Sequence, residues 1–191
     1  MALVRTGARA RPDQTRAALI RAARLEFDDH GYDATNSNRI AARAGFAPQT
    51  FYRHFKDKVE VFLAVYAHWV EEEIAALARV QSAAVAARIV IGHHRGSLNF
   101  RRALRRLSVE NDEVRAARAT SRKQQIAQIR ARRPQARQTT AVQCGAWLLM
   151  VERLADAAAE GEFADLGLTE RDAEAALTEL LAVFSTPTRP L

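Results

Sequence analysis

Apolar residues recur at helical spacing along most of the chain, and Gly and Pro stand mainly between the periodic stretches. Alternation of the kind typical of strands is nearly absent, while Ala, Leu, Arg and Glu dominate. The pattern therefore predicts an all-α fold of about nine helices. Boundaries are diffuse after Leu77, where we expect helices near 82–94, 97–109, 112–132 and 137–160.

Capping chemistry sharpens several of these boundaries. Asp57 followed by Glu60, and Thr169 followed by Asp172, each fit a capping box at a helix start. Other predicted starts are Asp13, Thr35, Pro48, and Asn111 or Asp112. The predicted ends and turns are Gly31, Gly45, Gly161 and Pro187. Residues 1–11 form a polar, Arg-bearing arm outside the helices.

Composition narrows the class of protein. An apolar share of 48% supplies a packed core, which excludes wholesale disorder. The single cysteine, Cys144, has no partner for an internal disulfide and fits a reducing compartment. No apolar run is long enough for a membrane span, and no signal peptide is visible. We expect a cytoplasmic protein.

The stretch from Thr35 to Lys58 carries the clearest functional signal. Two short helices flank a turn at Gly45, an arrangement typical of helix-turn-helix proteins, in which the second helix enters the major groove of DNA. The predicted inner face consists of Ile40, Ala41, Ala44, Phe51 and Phe55. The outer face offers Gln49, which can bond adenine, and Thr50, which can touch a thymine methyl group.

Other polar residues of this stretch have two interpretations. Tyr52 suits a phosphate, and so does Lys58, a cation at a helix start that the helix dipole disfavours. His54 can equally be a packing or capping residue, and Arg53 and Lys56 can be plain solvated charge. The N-terminal arm also has two interpretations. It could contact the minor groove of DNA through Arg5, Arg9 and Arg11, or it could be disordered.

As a joint pattern, residues of the region 15–65 resemble the N-terminal domain of TetR-type transcriptional regulators. The matching pieces are Ala22-Ala23, Phe27, Gly31-Tyr32, Thr35, Ile40-Ala41, Ala44-Gly45, Thr50-Phe51-Tyr52, His54-Phe55 and Lys58. The resemblance implies a homodimer with a three-helix DNA-binding domain at 1–56 and an effector-binding and dimerisation domain at 57–191. Ser37, Ala47 and Gln49 depart from the common residues of such regulators.

The resemblance and the residue chemistry together define the candidate DNA contacts. They are Asn36, Arg39, Pro48, Gln49, Thr50, Tyr52, Arg53, His54 and Lys58. A twofold dimer would present two reading helices about one DNA turn apart and predicts a palindromic operator.

The remainder of the chain carries weaker signals. Candidate pocket residues are Tyr66, Trp69, His93, His94, Phe100, Cys144, Trp147 and Met150, although each could equally be core. Candidate dimerisation residues are Trp147, Leu148, Val151, Leu154, Leu177, Leu180, Leu181 and Phe184. No metal site is expected, because adjacent histidines on a helix point apart. No cofactor is expected either.

Charge is unevenly distributed. Residues 88–137 have a net charge of +11, whereas residues 138–191 have −6. The basic segment has three interpretations: a solvated surface facing the acidic last helices, a site for an anionic effector, or additional DNA contact. No nucleophile with its base, carboxylate pair or phosphate loop is visible, so an enzyme is not expected.

We therefore expect a ligand-responsive transcriptional repressor that is released from its operator by a small-molecule effector. The alternative is a constitutive or nucleoid-type DNA-binding protein that has no effector.

Overall fold

The structure is a computed structural model that describes residues 12–132 and 139–183. Within them all regular secondary structure is helical, as the apolar pattern predicts, and no strand occurs. The helices are α1 Pro12–Ala34, α2 Ser37–Arg43, α3 Pro48–Tyr52, α4 Lys58–Leu77, α5 Ala83–Arg95, α6 Leu98–Glu110, α7 Asp112–Arg132, α8 Ala141–Glu160, α9 Glu162–Asp165 and α10 Glu170–Ala182. The four-residue α9 was not predicted, because Gly161 ends α8 in the left-handed region without ending helical structure nearby.

Two compact units divide the chain, and the division falls inside α4 after Tyr66. The first turns of α4 belong to the N-terminal unit because Phe62 packs edge-on against Phe27 and Tyr32, with ring centroids 5.3 and 5.2 Å away. The packing of the chain thus changes ten residues beyond the sequence-based boundary at 56/57.

The turn between α1 and α2 differs from the prediction. Gly31, at φ 76°, ends the regular part of α1. The hydroxyl of Thr35 donates to the carbonyl oxygens of Gly31 and Glu26, at 2.8 and 3.1 Å, and is buried. Thr35 therefore ties the turn to α1, and the N-cap of α2 is Asn36, whose side chain accepts from the amide of Arg39 at 3.0 Å.

α4 begins as predicted from its acidic residues. The amide of Glu60 donates to the carboxylate of Asp57 at 2.8 Å, which satisfies one of the open amides of the first turn. The carboxylate of Glu60 reaches back one residue further than the usual box and accepts from the amide of Lys56 at 2.6 Å.

In the C-terminal unit, α5, α8 and α10 share one apolar core. Its buried residues are Ala87, Val90, Ile91, Val151, Ala155, Ala158, Ala173, Leu177 and Leu181. α8 starts at Ala141 rather than near 137, because Thr140 and Gln143 form a complete capping box. The predicted box of Thr169 and Asp172 is confirmed at the start of α10.

Candidate DNA-reading surface and buried charge network

The predicted inner face of the two short helices is buried. Ile40, Ala41, Phe51 and Phe55 are essentially inaccessible, and Ala44 is half-buried. The turn closes at Gly45, whose φ of 78° favours glycine, and the amide of Phe46 then donates to the carbonyl of Ala41 at 2.9 Å. This packing fixes α3 on α2 and leaves one side of α3 outward.

The outward side of α3 consists of Pro48, Gln49, Tyr52 and Arg53, all exposed. The hydroxyls of Tyr52 and Ser37 are 2.7 Å apart, so they share a hydrogen bond that joins the end of α3 to the start of α2. Ser37, one of the departures noted in the sequence, therefore has a structural role. Ala47 provides no side-chain cap for α3, as its residue type predicts.

Thr50 lies differently from its neighbours on α3. Its side chain is buried, and its hydroxyl accepts from the guanidinium of Arg53 at 3.1 Å. In this structure Thr50 positions Arg53 instead of presenting its own methyl group outward. His54 is half-buried beside this pair.

Arg39 has an acidic partner inside the N-terminal unit. Its Nε donates to the carboxylate of the buried Glu26 at 2.8 Å, and Arg43 lies 3.3 Å from the other oxygen of that carboxylate. Glu26 thus holds α2 against α1 through two arginines. Charge pattern alone could not distinguish this role from the DNA contact that we predict for Arg39.

Lys58 is also held within the N-terminal unit. Its ammonium donates to the carbonyl oxygens of Tyr32 and Thr35, at 2.8 and 2.9 Å, and lies 4.1 Å from the centroid of the Tyr32 ring. The structure therefore gives this cation partners inside the protein.

Three of the predicted pocket residues come together in the C-terminal unit. The ring of Trp69 stacks on His93 at 4.3 Å and meets His94 edge-on at 5.1 Å. Of the other predicted pocket residues, Phe100 is fully buried in α6 and Tyr66 is buried in α4. Cys144 and Trp147 lie apart from them, in a small cluster with Ile126 and Ile129, while Met150 is exposed.

Next to Trp69 lies a buried charge network that sequence reasoning missed. The carboxylate of Asp156 on α8 accepts from His94 at 2.8 Å and from two nitrogens of Arg101, each at 3.0 Å. Arg105 lies 2.9 Å from it, and the far ring nitrogen of His94 is 3.4 Å from Glu73. The network therefore connects α4, α5, α6 and α8.

The electrostatics of Asp156 follow from these partners. Burial acts to raise the pKa of Asp156, but the hydrogen bond from His94 and the charge of Arg101 outweigh it and hold that pKa well below its ordinary value. The carboxylate is therefore ionised in the folded protein, as a buried acid with several cationic partners should be.

A second acidic residue of α8, Glu152, binds the basic segment in the same way. It accepts from Arg118 at 2.9 Å and from Nε of Arg122 at 3.0 Å. Burial acts to raise the pKa of Glu152, and the hydrogen bond from Arg122 with the charge of Arg118 brings it below its usual value. A signal for this existed in the sequence, since Glu152, Asp156 and Glu160 recur every four residues and so share one helix face.

Several residues predicted for dimerisation belong to the chain's own core instead. Leu148, Val151, Leu177 and Leu181 are buried within the C-terminal unit. Trp147, Leu154 and Leu180 are half-buried against the same core, and the indole of Trp147 donates to the carbonyl of Leu180 at 2.7 Å. Phe184 and the arginines at positions 5, 9 and 11 lie outside the described residues.

Another face of α8 carries exposed apolar residues. Four apolar residues are exposed there: Val142 (81% exposed), Leu149 (49%), Met150 (54%) and the smaller Ala146. Their spacing of three and four residues places them on one helix face. Sequence pattern could not separate this stripe from the buried one, because α8 is apolar around much of its circumference.

Metal clusters and membrane-spanning helices are both absent from the described part of the chain. Residues 12–132 and 139–183 contain no group of three or more His, Cys, Asp or Glu side chains placed to hold a metal ion. Of the helices in these ranges, none is both long and apolar enough to cross a membrane.

Comparison with known proteins agrees with the geometry of the N-terminal unit. Residues 19–65 match the family model of bacterial regulatory proteins of the tetR family. A stretch of 61 residues is 43% identical to the HTH-type transcriptional activator FasR of Mycolicibacterium smegmatis; it covers 32% of this chain and only 28% of that protein.

Solved structures match over most of the chain. Salmonella enterica GusR is 21% identical, with a TM-score of 0.63 over 93% of this chain and 98% of its own. A TetR-family transcriptional regulator from Rhodococcus sp. is 17% identical, with a TM-score of 0.64 over 90% and 99%. A transcriptional regulator from Saccharomonospora viridis in complex with choline is 13% identical, with a TM-score of 0.64 over 88% and 96%. At these identities the likeness shows the fold. The match to the tetR family model thus covers residues 19–65, and the solved structures show that the chain shares their fold.

Proposed function

We propose that this protein is a ligand-responsive transcriptional repressor that binds a palindromic operator as a homodimer. The observation that carries the proposal is the outward side of α3, where Gln49, Tyr52 and Arg53 stand exposed above a fully buried Phe51. A short helix with a rigid base and polar, hydrogen-bonding side chains outward is what direct readout in the major groove requires.

Within this proposal the candidate contacts divide into two roles. Gln49 is at the start of α3, where its amide can bond adenine, and Pro48 beside it sets the approach of the helix. Tyr52 and Arg53 are placed for phosphates, with His54 behind them. Asn36 and Arg39 lie at the start of α2, where they can reach the neighbouring backbone once Arg39 exchanges Glu26 for a phosphate.

The homodimer is supported by the exposed stripe of α8. Val142, Leu149 and Met150 are apolar and outward, and an apolar stripe of this kind is stabilised when a second copy covers it. A twofold interface here would pair the stripe with itself. The two reading helices would then meet matched half-sites about one DNA turn apart.

Effector binding is assigned to the C-terminal unit. Trp69 and His94, which are buried, and His93, which is half-buried, form an aromatic group on α4 and α5, and aromatic walls with a few polar groups are typical of small-molecule sites. The solved relative from Saccharomonospora viridis binds choline. An effector that binds one arrangement of α4 better than another would lower operator affinity by that difference in binding free energy.

Fluorescence anisotropy with DNA duplexes tests the proposal. A duplex selected by the protein from a random library should contain an inverted repeat. Its affinity should exceed that of a scrambled duplex by a factor of about 10³ or more and should fall steeply with salt. Equal affinity for both duplexes would instead indicate a constitutive binder without sequence preference, and a reporter gene that is switched on by the protein would indicate an activator.

A further inference from the structure

Lys58, in the first turn of α4, contacts the turn that follows the regular part of α1. As a cation in the first turn of α4 it is disfavoured by the helix dipole. A residue with that cost needs a compensating partner. In a DNA-binding protein a phosphate is the obvious candidate, and this is the role expected from the sequence.

The structure supplies a partner of another kind. Gly31 turns the chain out of the regular part of α1 at φ 76°, so the carbonyl groups that follow lie in a turn, where that of Tyr32 also accepts from the amide of Thr35 at 3.3 Å. Two of them, those of Tyr32 and Thr35, accept from the Lys58 ammonium at 2.8 and 2.9 Å. Backbone carbonyls at the end of a helix carry partial negative charge and are natural acceptors for a lysine.

Two further contacts fix this arrangement. The ammonium of Lys58 lies over the face of the Tyr32 ring at 4.1 Å, and that ring packs edge-on against Phe62, one turn further along α4. The hydroxyl of Thr35 is bonded to the carbonyls of Gly31 and Glu26. Neither the carbonyls nor the ring can move without disturbing the core of the N-terminal unit.

From these contacts we infer that Lys58 is a positioning residue that fastens the first turn of α4 to the α1–α2 turn, and not a phosphate contact. It thereby sets where α2 begins, and through α2 it sets the orientation of the reading helix α3. The inference rests on the proposed function only for its effect on DNA binding. The contacts themselves make a separate prediction about the stability of the folded protein.

The test is Lys58→Met, which keeps the aliphatic stem and removes the ammonium, compared with Arg53→Met on the exposed side of α3. Loss of two charge-assisted hydrogen bonds should lower the thermal midpoint of Lys58→Met by about 4 to 8 °C, while Arg53→Met should stay within about 2 °C of the wild type. Anisotropy is then measured well below both midpoints, on the selected duplex and on a scrambled one.

A positioning role makes a specific prediction about these binding data. Lys58→Met should lose about tenfold in affinity for the selected duplex and much less for the scrambled one, with an unchanged slope of log K against log salt. Arg53→Met should instead reduce the magnitude of that slope by about 0.9 and weaken binding to both duplexes alike. Lys58→Arg, which can still donate to both carbonyls, should restore most of the midpoint and the specificity.

Two results would overturn the inference. One is a salt slope of Lys58→Met that falls by about 0.9 while its thermal midpoint is unchanged, which is the signature of a phosphate contact. The other is a variant that is indistinguishable from the wild type in midpoint, slope and specificity. If Lys58→Met does not fold, Lys58→Gln provides the same comparison. If the wild type shows no sequence-specific binding, the proposed function fails, and the thermal midpoints alone still decide whether Lys58 fastens α4.

Discussion

Replacement of Asp156 by Asn tests whether the buried charge network holds the C-terminal unit together. The substitution preserves shape but removes the negative charge that faces His94, Arg101 and Arg105. Asp156 and Arg101 are both about 2% exposed, so water cannot take over as partner. Loss of one member of such a buried pair costs about 3 to 5 kcal/mol, because the remaining charge is left without compensation.

Urea unfolding followed by circular dichroism at fixed protein concentration measures this cost. With a slope of about 2 to 3 kcal/mol per molar urea, the midpoint of Asp156→Asn should fall by about 1 to 2.5 M. The matched control is Glu162→Gln, which breaks the exposed pair with Arg153 and should cost at most about 1 kcal/mol. A loss no larger than that of the control would refute the view that the network stabilises the fold.

The wild type and Asp156→Asn also differ in how their stability depends on pH, and the direction of this difference can be predicted. Because the pKa of Asp156 is depressed in the folded state, its charge contributes stability above the unfolded value of about 3.9. This contribution is lost as pH falls below that value towards the folded pKa. The difference in unfolding free energy between the wild type and Asp156→Asn should therefore be constant near neutral pH and shrink below about pH 4. A difference that grows in acid would contradict the assignment.

Three further changes test other parts of the molecule. Gln49→Ala should cost about 1 to 3 kcal/mol on the selected duplex and relax preference at one base pair, measured with singly substituted duplexes. Leu149→Glu should shift the protein to a monomer in sedimentation, whereas Val109→Glu on α6, at a still more exposed apolar position, should not. Gly45→Ala, at φ 78°, should lower stability by about 1 to 2 kcal/mol, whereas Gly92→Ala in α5, with open space around its Cβ, should raise it by up to about 1 kcal/mol.

Capping residues predicted several helix starts correctly, whereas contacts between residues distant in the sequence decided the starts that residue type alone could not. Thr169 with Asp172 and Asp57 with Glu60 marked two helix starts correctly, since a capping bond spans only three residues. Thr35 and Asn36 are equally good caps by residue type. The choice fell to Asn36 because the Thr35 hydroxyl is taken by the carbonyls of Gly31 and Glu26, a contact that spacing along the chain does not reveal.

The candidate site shows the same limit. The buried face of α2 and α3 follows from periodicity, so Phe51 and Phe55 were predicted correctly as core. Some outward polar residues bind partners within the protein, and these partners lie on other helices, as Glu26 of α1 does for Arg39 of α2. Sequence pattern does not reveal such pairs. On α8 an apolar stripe is visible from sequence, but only packing shows that Leu148 faces the core while Leu149 faces outward.

Part of the basic segment 88–137 pairs with acidic residues of α8, which favours the interpretation that this segment faces the acidic last helices. Arg101 and Arg105 bind Asp156, Arg118 and Arg122 bind Glu152, and Glu160 accepts from Arg102 and Arg105 at 3.1 and 2.6 Å. These arginines link α6 and α7 to α8 through ion pairs. Three carboxylates thus offset part of the charge of these five arginines at short range.

This pairing bears directly on the choice between a specific regulator and a nucleoid-type binder. A protein that wrapped DNA with the whole segment 88–137 would release many counterions and show a salt slope near −10 or steeper. If the phosphate contacts are confined to the N-terminal unit, each subunit neutralises only a few phosphates, and the slope of the dimer should be clearly shallower. Because Glu152→Gln would leave Arg118 and Arg122 without their acid, that variant should gain non-specific DNA affinity at low salt. A variant that binds scrambled DNA no better than the wild type would show that these arginines cannot reach DNA even when they are unpaired.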